Sequence, residues 1–170
     1  MSNSNLFSKD AAPEKTAKYI LYSDKGLGQN VQPPLRYNGG NANSMLKEVS
    51  GGCSVDNGKC WRYTYANKEG GWSGWYDNFR PAQNIESFTA LKFYVKGEAG
   101  NEKFQVMIED TGHSPTKITV TATKEWQEIS IPLSSFGQDL TQIVVPYNIA
   151  FSADVTGSDA VIYIDYIRFE

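Results

Sequence analysis

Gly70–Phe79, GGWSGWYDNF, gathers two of the chain's four tryptophans, a tyrosine, a phenylalanine and an aspartate into ten residues. Large flat rings beside the bare backbone of Gly70, Gly71 and Gly74 allow another surface to approach closely. Such a patch makes a platform on which the apolar face of a sugar ring can stack. The same composition also lets a sandwich pack a wide ring against a neighbouring strand. Side chains alternate along a strand, so rings three positions apart point to opposite faces unless a bulge resets the pattern. One of Trp72 and Trp75 is therefore expected in solvent and the other in the core. Trp75 is the expected exposed ring, because Tyr76 and Asp77 beside it would extend one surface. Trp72, following two glycines, is expected between sheets.

Other reactive residues are sparse. The one histidine, His113, lies in the turn Asp110-Thr-Gly-His-Ser-Pro, a solvated setting rather than a catalytic one. No Gly-x-Ser-x-Gly, His-Glu-x-x-His, phosphate loop or dinucleotide fingerprint occurs. Glycoside hydrolysis needs two carboxylates about 5–9 Å apart. Glu109 and Asp110 are adjacent on a strand and point apart, which leaves Glu69, Asp77 and Glu128 as acids that only long-range folding would pair. Cys53 and Cys60, in CSVDNGKC, suit a disulfide closing a turn around Asp56-Asn57-Gly58, the alternative being two reduced thiols. A disulfide implies an oxidising, extracytoplasmic compartment. Without a histidine partner the two cysteines make a poor zinc site.

The elements that must position these groups read as strands. At 170 residues the chain is one domain with room for a core. Its net charge of −3, from 16 basic and 19 acidic residues mixed along the chain, forms no nucleic-acid stripe and no polybasic membrane patch. No apolar run approaches the length of a membrane span. Residues 1–18 are polar and aperiodic, a linker or N-terminal tail, and residues 19–170 form the folded domain. Tyr19–Ser23 is a first strand. The stretch from Gly26 to Gly52 is rich in turn residues and reads as a long loop, a common place for binding; within it Ser44–Val49 fits a short helix or a strand. Trp61–Ala66 alternates, with Trp61, Tyr63 and Tyr65 on one face. After the aromatic stretch come further period-two runs. Leu91, Phe93 and Val95 oppose Lys92, Tyr94 and Lys96; Phe104, Val106 and Ile108 oppose Lys103, Gln105, Met107 and Glu109; Ile149, Phe151 and Ala153 oppose Asn148 and Ser152. Val161–Phe169, apolar at nearly every position, should be central. Many short strands, each with one apolar and one polar face, predict an all-β, two-layer antiparallel β-sandwich.

From Phe88 onward the sequence resembles a family. TALKFYVKGEAGNEKFQVMIED, ITVTATKEWQEISIPLSSFG and IVVPYNIAFSADVTGSDAVIYIDYIRFE are similar to the jelly-roll carbohydrate-binding modules with a galactose-binding-like fold, families 11, 30 and 44 among them. The marks are VKG after an alternating strand, Glu125-Trp126-Gln127 leading into Ile131-Pro132-Leu133 before Phe136, and a C-terminal Tyr-Ile-Asp-Tyr-Ile. The resemblance covers about half the chain and consists mostly of fold marks, and residues 25–60 match no pattern of the family. It implies a non-catalytic, monomeric module that binds a polysaccharide, most readily a β-linked glucan or a related plant or algal polymer. It also implies a covalently attached glycoside hydrolase and a secreted or cell-surface bacterial parent protein, with no nucleic-acid or membrane partner. Trp72, Trp75, Tyr76 and Tyr37 are the candidates for stacking, and Asp77, Arg36, Gln105 and Asn148 for hydrogen bonds to hydroxyls. Such modules commonly hold calcium near the first and last strands, which by position makes Asp24 and Asp165 the carboxylates. The competing reading of those two residues is a turn cap at Asp24 and a carboxylate at Asp165 that accepts hydrogen bonds from an adjacent loop. A small jelly-roll lyase or hydrolase, and a structural module that packs on a catalytic domain, are the alternative functions.

Overall fold

The computed structural model describes residues 17–39, 43–55, 58–67, 71–112 and 114–170. Residues 1–16 of the expected tail, the Asp56-Asn57 turn, Glu69, Gly70 and His113 lie outside the described residues. The strands are β1 (Tyr19–Ser23), β2 (Gly26–Leu27), β3 (Leu35–Tyr37), β4 (Met45–Ser50), β5 (Lys59–Tyr65), β6 (Trp72–Asp77), β7 (Ala90–Gly97), β8 (Lys103–Asp110), β9 (Ile118–Thr121), β10 (Gln127–Pro132), β11 (Ile143–Ser152) and β12 (Ala160–Phe169).

They form the two-layer antiparallel sandwich that the alternation predicts. The five-stranded sheet runs β3-β6-β11-β8-β9. In the seven-stranded sheet β12 is central, pairing with β7 along one side. Along its other side it pairs with β5 over Ala160–Ile164 and with β1 over Ile167–Phe169. A strand with neighbours on both sides and a sheet packed on its inner face loses nearly all contact with water, which is why its sequence is so apolar.

Two local expectations change, and one open alternative is decided. The stretch from Gly26 to Gly52 is not one long loop, because β2, β3 and β4 lie within it. β2 and β3, of two and three residues, are too short to display a periodicity. Ser44–Val49 resolves as strand β4. Ala153 leaves β11 and opens the single helical turn Ala153–Thr156, closed by Gly157 at φ 77°.

The core lies between the two inner faces. Trp75, Tyr147, Phe151 and Phe104 from the five-stranded sheet meet Tyr63, Tyr65 and Phe93 from the larger one, all fully buried. Tyr63 touches both Trp75 (centroids 4.9 Å) and Phe151 (4.9 Å, stacked), and Trp75 meets Tyr147 edge-on at 6.0 Å. Each such aromatic pair adds about 0.5–1.5 kcal/mol to what area burial contributes. The Tyr63 hydroxyl is satisfied inside this cluster by donating to Ser73 Oγ at 2.7 Å. The predicted disulfide is formed: Cys53 and Cys60 have Cα atoms 5.7 Å apart and are joined across the β4–β5 connection.

Candidate functional site

The outer face of the five-stranded sheet carries the chemistry. Along β6, Ser73, Trp75 and Asp77 point inward, while Trp72, Gly74 and Tyr76 point out. Alternation thus separates the two tryptophans as expected, but in the opposite sense. Trp72 is 52% exposed and Trp75 fully buried. Trp75 is held inward by Tyr63 and Tyr147, whose rings occupy the space behind it. Asp77 shares the parity of Trp75 and is fully buried too, so it is not a surface acceptor for hydroxyls. Arg36 falls on the opposite side of β3 from Leu35 and Tyr37, and its guanidinium donates to the Ser44 carbonyl at 3.1 Å. Trp75, Asp77 and Arg36 therefore leave the expected binding set.

Five of the expected residues do share one face. Antiparallel register places Tyr37 opposite Gly74, and Asn148 opposite both Tyr76 and Met107. Gln105 stands opposite Ala150, one step away. Tyr37, Trp72, Tyr76, Val145, Asn148 and Glu109 line an open groove of about 460 Å³, with Gln105 on the same face.

The centre of the groove is Tyr37, and a missing side chain is what places it. A Cβ on Gly74 would lie 2.6 Å from the Tyr37 hydroxyl oxygen and 1.9 Å from the Ile149 carbonyl oxygen. Bare backbone there lets the phenol lie across β6 and reach β11. Its one hydroxyl proton is shared between the Asn148 side-chain oxygen (2.8 Å) and the Ile149 carbonyl (3.0 Å). Burial, with the neighbouring hydroxyls and Glu109 adding to it, raises the Tyr37 pKa well above that of a free phenol, so the hydroxyl stays a donor. Asn148 passes the polarity on, its Nδ2 donating to Glu109 Oε1 at 2.9 Å. Trp72 and Tyr76 flank the Tyr37 ring at 5.4 and 6.2 Å, tilted 44° and 34° from it. The indole of Trp72 rests on Gly39, where a Cβ would come within 2.0 Å of it.

This arrangement can hold a neutral polyhydroxylated chain. The rings offer apolar faces that do not share one plane, a shape that follows a twisted chain rather than a flat crystalline surface. The Trp72 indole N–H, the Tyr76 hydroxyl and the second oxygen of Glu109, all from residues that line the groove, have no internal partner among the described residues, and neither has the Gln105 amide on the same sheet face. Among the described residues that line the groove, Glu109 is the only carboxylate and none is a base, which disfavours an anionic ligand. Sequence reasoning passed over Glu109 after rejecting it as a catalytic partner of Asp110. The signal was present, since Glu109 alternates onto the face of Gln105. Asp110 points inward and accepts from the backbone N–H groups of Gly112 (2.6 Å) and Asp139 (2.6 Å).

Of the two carboxylates expected to hold calcium, Asp165 is engaged by the loop after β4. Asp165 Oδ2 accepts from Ser54 N (3.0 Å), Ser54 Oγ (3.1 Å) and Val55 N (3.2 Å), and Oδ1 accepts from Tyr166 N at 2.7 Å. Tyr166 has φ 48° at an irregularity in the β7–β12 pairing, which turns its N–H back onto that carboxylate. N–H groups directed at both oxygens are donors where a cation needs bare lone pairs. Among the described residues no group of three or more His, Cys, Asp or Glu converges. Among the described residues, then, Asp165 is committed to N–H and O–H donors and no third acidic ligand joins it and Asp24.

The family model described as Carbohydrate binding domain 30 matches residues 21–170. No curated protein matches the sequence. Among solved structures, the chain is similar to a family 30 carbohydrate-binding module, with a TM-score of 0.69 and 16% identity over 91% of this chain and 88% of that one. It is also similar to a family 11 carbohydrate-binding module from Clostridium thermocellum in complex with a β-1,3-1,4-mixed-linked tetrasaccharide. There the TM-score is 0.68 and the identity 19%, over 89% and 94% of the two chains. A third is the family 30 module of a cellulosomal cellulase of the same organism, at a TM-score of 0.64 and 16% identity over 91% and 97%. At these identities the likeness shows a shared jelly-roll fold.

Proposed function

The chain belongs to the Carbohydrate binding domain 30 family, and from that premise we propose that it binds a single neutral β-linked glucan chain in the groove over Tyr37 without chemically altering it. One observation carries the reading: three rings, with Tyr37 pinned at the centre by Gly74 and Asn148, on a sheet face that also presents uncommitted hydrogen-bonding groups. The tetrasaccharide bound by the structurally similar family 11 module supports the choice of a β-glucan.

Binding proceeds by burial and alignment. Pyranose C–H faces stack on Trp72, Tyr37 and Tyr76, and leaving water there supplies most of the free energy. Tyr76, Gln105, Asn148 and Glu109 then bond hydroxyls, and these bonds discriminate between sugars because an unpaired polar group in the groove is costly. Tyr37 is fixed before ligand arrives, so less ordering entropy is lost on binding. A single module of this kind binds weakly, and it serves an attached polysaccharide-degrading enzyme by raising the local concentration of substrate. The disulfide fits a secreted bacterial parent protein, and we read the module as a monomer.

Affinity electrophoresis against mixed-linkage β-glucan, xyloglucan, xylan and an acidic polysaccharide such as alginate tests the proposal. Retardation by the neutral β-glucans, none by alginate, and no release of reducing sugar from any of them is the expected result. Retardation by alginate alone, or turnover of a polymer, would overturn it.

A further inference from the structure

The outer face does not stop at Tyr76. Register pairs Leu35 with Tyr76, and beyond that pair a second depression of about 320 Å³ is lined by Gln32, Pro33, Leu35, Asn78 and Arg80. Leu35 is 48% exposed, an apolar floor beside a proline ring. The backbone beneath is held on both sides. Gln32 N donates to the Asn78 carbonyl (2.8 Å), Phe79 N to the Val144 carbonyl (2.8 Å), and Arg80 N to the Asn30 carbonyl (3.0 Å).

The side chains above that backbone are uncommitted. The chain has four arginines. Arg36 donates to Ser44, Arg62 to Tyr163 and Thr64, and Arg168 pairs with Glu128 and Glu170. Arg80 alone has no hydrogen bond or ion pair from its guanidinium among the described residues, and the side-chain amides of Gln32 and Asn78 are likewise unpartnered. A rigidly based, exposed guanidinium beside two free amides and an apolar floor is suited to a ligand, not to the fold.

We propose that this depression is a second subsite that takes the next sugar units of the same neutral glucan chain, resting on the reading of the groove given above. Leu35 and Pro33 lie under a ring face, and Arg80 donates two N–H groups to a pair of neighbouring hydroxyls in the planar fork that Lys cannot reproduce. Six residues of strand between Trp72 and Asn78 span about 20 Å, so the ligand that fills both subsites is an oligosaccharide of several units.

Calorimetric titration of the whole chain with β-linked gluco-oligosaccharides of two to six units tests this. Wild-type affinity should climb through the series to the longest member. Arg80→Ala should lose about five- to tenfold for the longest oligosaccharide and nothing for the shortest one that binds measurably, and Arg80→Lys should recover only part of the loss. Trp72→Ala should lose binding at every length. An Arg80→Ala protein equal to wild type at all lengths, with Trp72→Ala still defective, overturns the second subsite and leaves the groove intact. No binding of any oligosaccharide by the wild type overturns both.

Discussion

Replacing Asp77 by asparagine should flatten the pH dependence of stability and leave sugar binding unchanged. Asp77 is fully buried under the platform, opposite Tyr147 in the β6–β11 register. Neither carboxylate oxygen has a hydrogen-bond partner among the described residues, and the Tyr147 hydroxyl has none either. Burial alone pushes the Asp77 carboxyl up from 3.8 to about 7, and burial together with Asp77 raises Tyr147 as well. Below pH ~4 the carboxyl is protonated in folded and unfolded chains alike, and it costs nothing. Between about pH 4 and pH 7 the unfolded chain releases the proton while the folded one keeps it, so stability falls as pH rises. Above about pH 7 the cost levels off. At about 1.4 kcal/mol per factor of ten in proton affinity, the full difference is roughly 4 kcal/mol.

Denaturant unfolding of wild type and Asp77→Asn at pH 4 and pH 8 reads this directly. The comparison between the two proteins removes the contribution of every other carboxylate. The variant should be close to wild type at pH 4 and more stable by up to roughly 4 kcal/mol at pH 8. Parallel pH profiles would refute the buried, unpartnered carboxyl. A variant that folds normally and loses polysaccharide binding would refute the placement of Asp77 beneath the platform.

Gly74→Ala should cost about 1–3 kcal/mol, because its Cβ meets the Ile149 backbone, and should weaken binding by lifting the Tyr37 ring. Thermal melts and a glucan titration check both, and normal binding would contradict the role given to Gly74. Reduction of the Cys53–Cys60 bridge should lower stability by about 2–3 kcal/mol, the value expected for so short a loop, measured by unfolding with and without reductant. Chelator should leave the melting temperature unchanged, since Asp165 is satisfied by N–H donors; a drop restored by added calcium would contradict that assignment.

Much of the fold could be read from pattern, since β7, β8 and β11 are long enough to show their periods and β12 reads as one apolar run. The edge strands β2 and β3 are too short for either, and with them went the placement of Tyr37, which depends on pairing with β6. The error at Trp75 has a plain physical cause. Adjacency in sequence is not adjacency on a surface, since Trp75 and Tyr76 face opposite ways in a regular strand. The same parity that exposes Trp72 also exposes Tyr76 and buries Asp77. Gly74 reads in the sequence only as room beside a ring. That the room belongs to Tyr37, 37 residues earlier, is visible only once the strands pair. Glu109 was legible by its face but not by its partner, because its bond to Asn148 crosses from β8 to β11.

The central claim is that sugar binds over Trp72 and not over Trp75, and paired alanine substitutions measure it. Trp72→Ala should hold the wild-type melting temperature, losing no more than about 0.5 kcal/mol as an exposed site, while affinity for soluble β-glucan falls more than about tenfold. Trp75→Ala should cost about 3–5 kcal/mol of stability. A Trp72→Ala protein that is folded and binds glucan as tightly as wild type would contradict the account.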